Sequence, residues 1–372
     1  MTISALLADP RVAAAIAAGD TPFFVLDRSV VRAAYDRLEA ALPGVRHHYA
    51  VKALSHPAVI EVLAAAGAGF DVATAAEIDL ILAAGVAPER MIHTHPHKKP
   101  RDIEYAVERG VRTFVADSDA EARKLAGLDV DVLARLSFPN ASANVDLSLK
   151  FGLFPDEVES FLDDARAIGT RIIGFSYHVG SQNLGLEIFA DSLRRTIEFY
   201  DAATAAGHPM QTIDIGGGFP VEYLEPVPSI EAIAAQIRPI IDARPDIEFI
   251  SEPGRYLAGE AMALVTGVVS TTHRPIDDTY WVFIDDGLFG GYSNVFSDHV
   301  APRIEAVGAA GRELVPQTLG GPTCDSNDVI ARDVLLPRLE VGDILVSPMM
   351  GAYTLVTATE FNGIPRTPVI VV

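Results

Sequence analysis

Val45-Arg46-His47-His48-Tyr49-Ala50-Val51-Lys52 reads as a strand that delivers one lysine to the start of a loop. A lysine there is well placed to form an imine, because covalent lysine chemistry needs a rigid support and neighbours that hold a carbonyl compound in reach. Alone, Lys52 would be an ordinary solvated lysine at a strand end. The rest of the chain argues otherwise.

Outward from this stretch a regular beat runs in both directions. Strand-like runs at 45–52, 69–73, 90–95, 113–117, 132–138, 172–179, 212–215 and 247–251 alternate with helical segments at 57–66, 75–84, 101–109, 119–126, 155–168, 187–206 and 230–243. Several of these helices stop at a glycine (Gly67, Gly85, Gly110, Gly169, Gly207), the expected left-handed C-cap. Ahead of the first strand, Asp27 or Ser29 can cap a helix running to about residue 42. Eight strands alternating with helices imply a parallel sheet, and eight closes a (β/α)8 barrel. A doubly wound open sheet is the alternative. The count, the preceding helix and the roughly 200-residue span favour the barrel.

After Tyr256 the pattern changes. The chain becomes Val/Thr-rich with Gly and Pro punctuation, has no convincing long helix, and shows strand-like runs at 264–271, 280–284, 344–347 and 367–372. The expected α/β organisation is therefore a barrel over residues 27–258 and an all-β domain over 1–26 and 259–372, which takes the isolated strand at 23–26. The polar stretch 140–148 lacks periodicity and is expected to be mobile.

The 50 acidic against 29 basic residues give a formal charge of −21, which repels phosphate backbones and anionic lipid. Nucleic acid and membrane surfaces are therefore poor candidates for partners. No apolar run approaches the ~18 residues needed to cross a bilayer. A single cysteine, Cys324, allows no intrachain disulfide, and no basic segment precedes the Ala-rich start, so a cytoplasmic setting is expected.

In a barrel, polar residues at the C-terminal ends of the strands form one site. Lys52, Asp71, Arg135, His178, Ser181, Gly216-Gly217-Gly218 and Glu252-Pro253-Gly254-Arg255 all fall on that rim. The glycine-rich turns after strands seven and eight sit where such barrels take a phosphate. The triplet alone could be a tight turn and does not fit the dinucleotide fingerprint. With Arg255 beside it, a phosphate site is the better reading. A lysine, a phosphate cradle, a carboxylate and a histidine on one rim suggest pyridoxal 5′-phosphate, with the carboxylate keeping the pyridine nitrogen protonated.

The motifs Tyr49-Ala50-Val51-Lys52-Ala53, Gly69-Phe70-Asp71-Val72-Ala73, His178-Val179-Gly180-Ser181-Gln182, Asp214-Ile215-Gly216-Gly217-Gly218-Phe219-Pro220 and Glu252-Pro253-Gly254-Arg255-Tyr256 resemble the alanine-racemase-fold pyridoxal-phosphate decarboxylases. Gly321-Pro322-Thr323-Cys324-Asp325-Ser326, Asp298-His299, Gly351-Ala352-Tyr353-Thr354 and Phe361-Asn362-Gly363 narrow this to the ornithine decarboxylase group. The resemblance runs from about residue 22 to 364. It implies that Lys52 holds the cofactor as a Schiff base, Glu252 pairs with the pyridine nitrogen and His178 stacks on the ring. Ser181, Gly217, Gly218, Gly254, Arg255 and Tyr353 would hold the phosphate, with Asp71, Glu77 and Arg135 around Lys52. Cys324 would return a proton after carbon dioxide leaves. Asp298 and Asp325 would bind the distal ammonium of a diamino acid, Asp325 coming from a partner subunit of a homodimer, and Phe361 would line the cavity. Apart from the family, two carboxylates suit a cationic tail, and a thiol with a reference pKa of about 8.5 suits proton donation near neutrality.

The expected reaction is decarboxylation of ornithine to putrescine, with lysine second. Rivals are diaminopimelate decarboxylase, an amino-acid racemase of the same fold, and a non-catalytic regulatory homologue. Leu54 replaces a common Asn, Thr74 a Ser, Tyr177 a Phe, and Phe289 a tyrosine near the substrate end. Leu54 and Phe289 put the identity of the diamino acid in question. His93, His95 and His97 share a strand face, but no Cys or carboxylate cluster joins them, so no metal is expected. The plainer readings are a buried apolar role for Cys324 and loop-capping roles for Asp298 and Asp325.

Overall fold

Asp27 sets the first long helix. Its carboxylate accepts from the backbone N–H and the hydroxyl of Ser29, at 2.9 and 2.6 Å, and the helix Arg28–Ala41 follows. The computed structural model describes residues 3–138, 143–145 and 150–372. Of the stretch 140–148, only Ala143–Val145 is described, and it pairs antiparallel with Ser181–Asn183. The remainder lies outside the described residues.

The alternation closes into a ring. Arg46–Ala50, Gly69–Val72, Met91–His93, Thr113–Ala116, Asp131–Arg135, Ile172–Ser176, Thr212–Asp214 and Glu248–Ser251 are parallel neighbours in that order, and Ile250 pairs with Arg46 to complete a closed eight-stranded barrel. The open-sheet alternative is thereby excluded. Most strands stop one to three residues earlier than the sequence pattern suggests, because the apolar run continues into the rim loops. Val51–Ala53, for instance, leaves the sheet as one turn of 3-10 helix carrying Lys52. Ile92, Val115, Leu133, Ile173 and Ile250 form one buried cluster contributed by five of the eight strands. Truncating Leu133 there to Ala would cost about 2–5 kcal/mol.

The helices between strands have local causes. Pro57–Ala66 begins with Pro at its first turn and ends at Gly67, whose φ of 93° only glycine adopts freely, its N–H bonding back to Leu63 and Ala64. Ala75–Ala83 begins at Thr74, whose hydroxyl accepts from Glu77 N–H. The Glu77 carboxylate in turn accepts from Ala73 N–H at 2.6 Å, a reciprocal cap that fixes the turn directly after the strand carrying Asp71.

The chain divides into two compact units, one of residues 32–220 and 227–256 and one of 1–31, 221–226 and 257–372. The second contains a sheet ordered Glu305–Val307, Ile344–Ser347, Met262–Arg274, Thr279–Ile284, Leu314–Gly320, Val329–Pro337. Phe23–Leu26 joins this sheet, antiparallel to Met262–Arg274 and parallel to Val369–Val371. Two short helices, Ile3–Ala8 and Pro10–Ala18, cover Phe23, Val25, Ala263, Val265 and Val346 through Leu6 and Val12. Asp9 caps the second of them, accepting from Arg11 N–H at 2.8 Å.

Candidate active site

Lys52 stands one turn beyond the first barrel strand, with its side chain about half exposed and its Nζ 2.9 Å from Asp71 Oδ2. Asp71 is 2 % exposed, and its other oxygen accepts from Thr94 Oγ1 at the end of the third strand. A buried carboxylate held from both sides fixes where the lysine amine points. Glu77 lies close enough for Lys52 and Asp71 to bias its charge, and burial raises its pKa. Arg135, the last residue of the fifth strand, lies over the Phe151 ring, 5.3 Å from its centroid, and acts electrostatically on His178 and Asp214.

Strands six to eight supply the rest of the rim. His178 Nδ1 accepts from Gly180 N–H at 3.0 Å, which leaves the ring proton on Nε2. Burial, reinforced by the charges of Arg135 and Lys52, lowers the His178 pKa to about 3, so the ring is neutral at physiological pH. Arg255 is 5 % exposed and its Nη2 donates to Ser181 Oγ at 3.1 Å, which brings the loops after strands six and eight together at a cation.

The glycine triplet closes this corner. A Cβ on Gly217 would meet Glu252 O at 2.4 Å and His178 Nε2 at 3.4 Å. At Gly218, where φ is +91°, it would meet Gly180 O at 2.3 Å. Only glycine lets the 216–218 backbone lie this close to the histidine loop. Asp214, the last residue of strand seven, ties the turn by accepting from Gly216 N–H at 2.8 Å.

Asp214 is a residue to which the sequence reading gave no role. It is fully buried beside Glu252, and the charge of Asp214 disfavours that of Glu252. Burial raises Asp214 to about 6, and burial with the Asp214 and Asp71 charges raises Glu252 well above the carboxylate range, with Lys52 opposing. Three buried carboxyl groups thus gather beside Lys52. A cationic ring nitrogen placed at Glu252 would relieve this crowding, the neutral His178 ring offers a flat face, and Arg255 with Ser181 offers a cation and a hydroxyl to a phosphate. The donor set fits pyridoxal phosphate.

The second unit carries the other candidates. Cys324 is exposed, with its N–H and its Sγ 3.1 and 3.3 Å from Asn362 Oδ1. Asp325 Oδ1 accepts from Asn327 N–H and Nδ2 at 2.8 and 3.0 Å. Phe361 stacks on Phe289, centroids 4.5 Å apart. Asp298 ends the short helix Ser293–Ser297, and Tyr353 adopts φ 55° in the turn after Gly351. Cys324, Asp325 and Phe361 therefore belong to one loop cluster, joined by Asn362. Among the described residues no group of three His, Cys, Asp or Glu is arranged to hold a metal ion. His93 stacks on Phe114, while His95 and His97 pack against Phe151.

Residues 28–259 match the family described as pyridoxal-dependent decarboxylase, pyridoxal binding domain. The chain belongs to this family. As a pyridoxal-dependent decarboxylase it is 36 % identical, over 94 % of its length and 89 % of the relative's, to the lysine/ornithine decarboxylase of Selenomonas ruminantium. Among solved structures it is similar to the lysine/ornithine decarboxylase of Vibrio vulnificus complexed with putrescine, at 36 % identity and a TM-score of 0.90 over 97 % of both chains. It is also similar to the Paramecium bursaria Chlorella virus arginine decarboxylase bound to agmatine, at 30 % identity and a TM-score of 0.88 over 94 % of this chain and 97 % of the other. The expected family, the barrel with its β-rich companion, the pyridoxal cofactor and the class of reaction all stand. No helix among the described residues is long and apolar enough to cross a membrane.

Proposed function

We propose that this pyridoxal-dependent decarboxylase removes the α-carboxylate of a basic L-amino acid, ornithine first and lysine second, yielding putrescine or cadaverine, and that it works as a homodimer. The observation carrying this reading is the set Lys52–Asp71 and Asp214–Glu252 on one barrel rim, taken with a loop in the other unit that presents the Cys324 thiol against the Asn362 amide, with Asp325 next in sequence. When bound, pyridoxal phosphate supplies a conjugated pyridinium ring that accepts the electron pair released with carbon dioxide.

The chain's own residues do the rest. Lys52 Nζ, oriented by Asp71, whose position Thr94 fixes, would hold the aldehyde end of the cofactor. Glu252, backed by Asp214, would face the ring nitrogen, where a buried carboxylate favours the protonated form. The neutral His178 would lie against the ring, and Ser181, Gly217, Gly218, Gly254, Arg255 and Tyr353 would hold the phosphate. Cys324 Sγ gives its proton to the carbon that lost the carboxylate. Asp298 and Asp325 meet the distal ammonium, and Phe361 against Phe289 provides an apolar wall for the methylene chain. Two acidic groups favour a cationic tail over a second carboxylate, which sets diaminopimelate aside.

Carbon dioxide release from L-ornithine, L-lysine and L-arginine tests the substrate, ornithine being expected fastest. Release from none of the three would refute the reading. The shared site is tested by mixing Lys52→Ala with Cys324→Ala: random pairing should restore about a quarter of full activity. No recovery, with subunit exchange verified, refutes the shared site.

A further inference from the structure

Three loops converge on Cys324. Asp328, 4 % exposed, accepts from Leu288 N–H at 2.8 Å and from Thr323 N–H and Oγ1 at 3.1 and 2.7 Å, so the residue preceding Cys324 is pinned to the 287–289 turn. The 359–363 turn is pinned to the same place: Thr359 N–H donates to Phe289 O at 2.8 Å and Phe361 stacks on Phe289. Asn362 sits at the apex of that turn with φ 57° and ψ 13°, a left-handed conformation that asparagine tolerates better than most residues.

The orientation of the Asn362 amide follows from chemistry. A backbone N–H only donates, so the group 3.1 Å from Cys324 N must be the amide oxygen. The same oxygen lies 3.3 Å from Cys324 Sγ, where a thiol can donate to it but a thiolate would face its lone pairs. The contact therefore favours the protonated sulfur and gives the S–H one direction.

We propose that Asn362 is a positioning residue for Cys324, its amide oxygen keeping the thiol protonated and aimed between turnovers. The assignment rests on the reading of Cys324 as proton donor. In that step the S–H bond breaks, the proton goes to carbon and the electron pair stays on sulfur. The resulting thiolate beside Asn362 Oδ1 is disfavoured and regains a proton from water, reloading the donor.

Because the chain has one cysteine, alkylation by iodoacetamide followed by intact mass reads Cys324 alone. In the holoenzyme, Asn362→Gly retains the left-handed backbone and removes the acceptor. Its alkylation midpoint should fall by about half to one pH unit, with a 3- to 10-fold faster rate below the midpoint, the size expected of one hydrogen bond to the thiol form. Asn362→Asp keeps the acceptor and adds a charge, so its midpoint should rise by about one unit. The alkaline limb of kcat should move in the same direction in each variant, with KM little changed. A merely structural role would lower the melting temperature and leave the midpoints together. Midpoints of wild type and both variants coinciding, in folded protein, overturn the proposal. The donor reading fails separately, through full kcat in Cys324→Ala, and that outcome leaves the alkylation result standing.

Discussion

Asp214→Asn isolates the electrostatic crowding behind Lys52. In the cofactor-free protein Asp214 titrates at about 6 instead of 3.8, with burial as the leading cause. A carboxyl whose folded pKa is raised contributes stability while it is protonated and loses it as pH rises from about 4 through 6. Two units correspond to roughly 3 kcal/mol of cost, fully present above pH 6. Asparagine has the same shape and no charge, and its Oδ1 still accepts the Gly216 N–H. At pH 8 the cofactor-free variant should therefore be more stable than wild type by roughly 2–3 kcal/mol, a melting midpoint roughly 5–10 °C higher for a domain of this size. Adding saturating pyridoxal phosphate should close that gap, because the ring cation relieves the crowding in wild type and binding stabilises the folded state by mass action. Melting curves of stripped and reloaded protein at pH 8 decide the matter. No gap at pH 8, or one indifferent to the cofactor, refutes the reasoning.

Acid should unfold the barrel unit well above pH 3. His47, His48 and His93 are lowered to about 3, 4 and 4, chiefly by burial, and His47 Nε2, His48 Nδ1 and His93 Nδ1 are buried without a hydrogen-bond partner. Folded histidines that refuse a proton lose stability as pH falls below 6.5, at pH 5 by roughly 2 kcal/mol each, which together approaches a domain's whole stability. Circular dichroism against pH should show a midpoint near pH 5, and His47→Gln should move it downward; a midpoint below pH 3.5 would contradict this. Arg255→Ala should weaken pyridoxal phosphate far more than pyridoxal, measured by cofactor absorbance on titration, since the role proposed for this cation is toward the phosphate; equal weakening of both would remove Arg255 from that role. Thr74→Ala should destabilise the unit by about 1 kcal/mol through its helix cap, read from urea unfolding. A change below about 0.3 kcal/mol would mean that the Glu77 carboxylate alone holds the turn.

The barrel was legible because its strands are short apolar runs at regular spacing and its helices carry Pro starts and Gly stops. The β-rich unit was read only in part. Leu314–Gly320 contains Pro316, Val329–Pro337 passes through Asp333 at φ 53°, and Glu305–Val307 is three residues long, so none shows a strand's alternation. The N-terminal helices escaped notice although Asp9-Pro10 is an N-cap followed by a first-turn proline. Lys52, Glu252 and Arg255 stood out as polar residues at strand ends. The significance of Asp214 did not, because its proximity to Glu252 depends on strands seven and eight being neighbours. The Asn362 contact bridges 38 positions of sequence and leaves no local signature.

The pairing of Phe23–Leu26 with Met262–Arg274 and Val369–Val371 bears on how the chain is made. At a translation rate of about 5–20 residues per second, the apolar stretch Phe23-Phe24-Val25-Leu26 emerges roughly 10–50 s before its first partner, while every strand of the barrel has been delivered by residue 251. The ribosome thus hands over a finished cylinder trailing an orphaned sticky ribbon, and a chaperone that shields this ribbon until late synthesis would raise the yield of active enzyme.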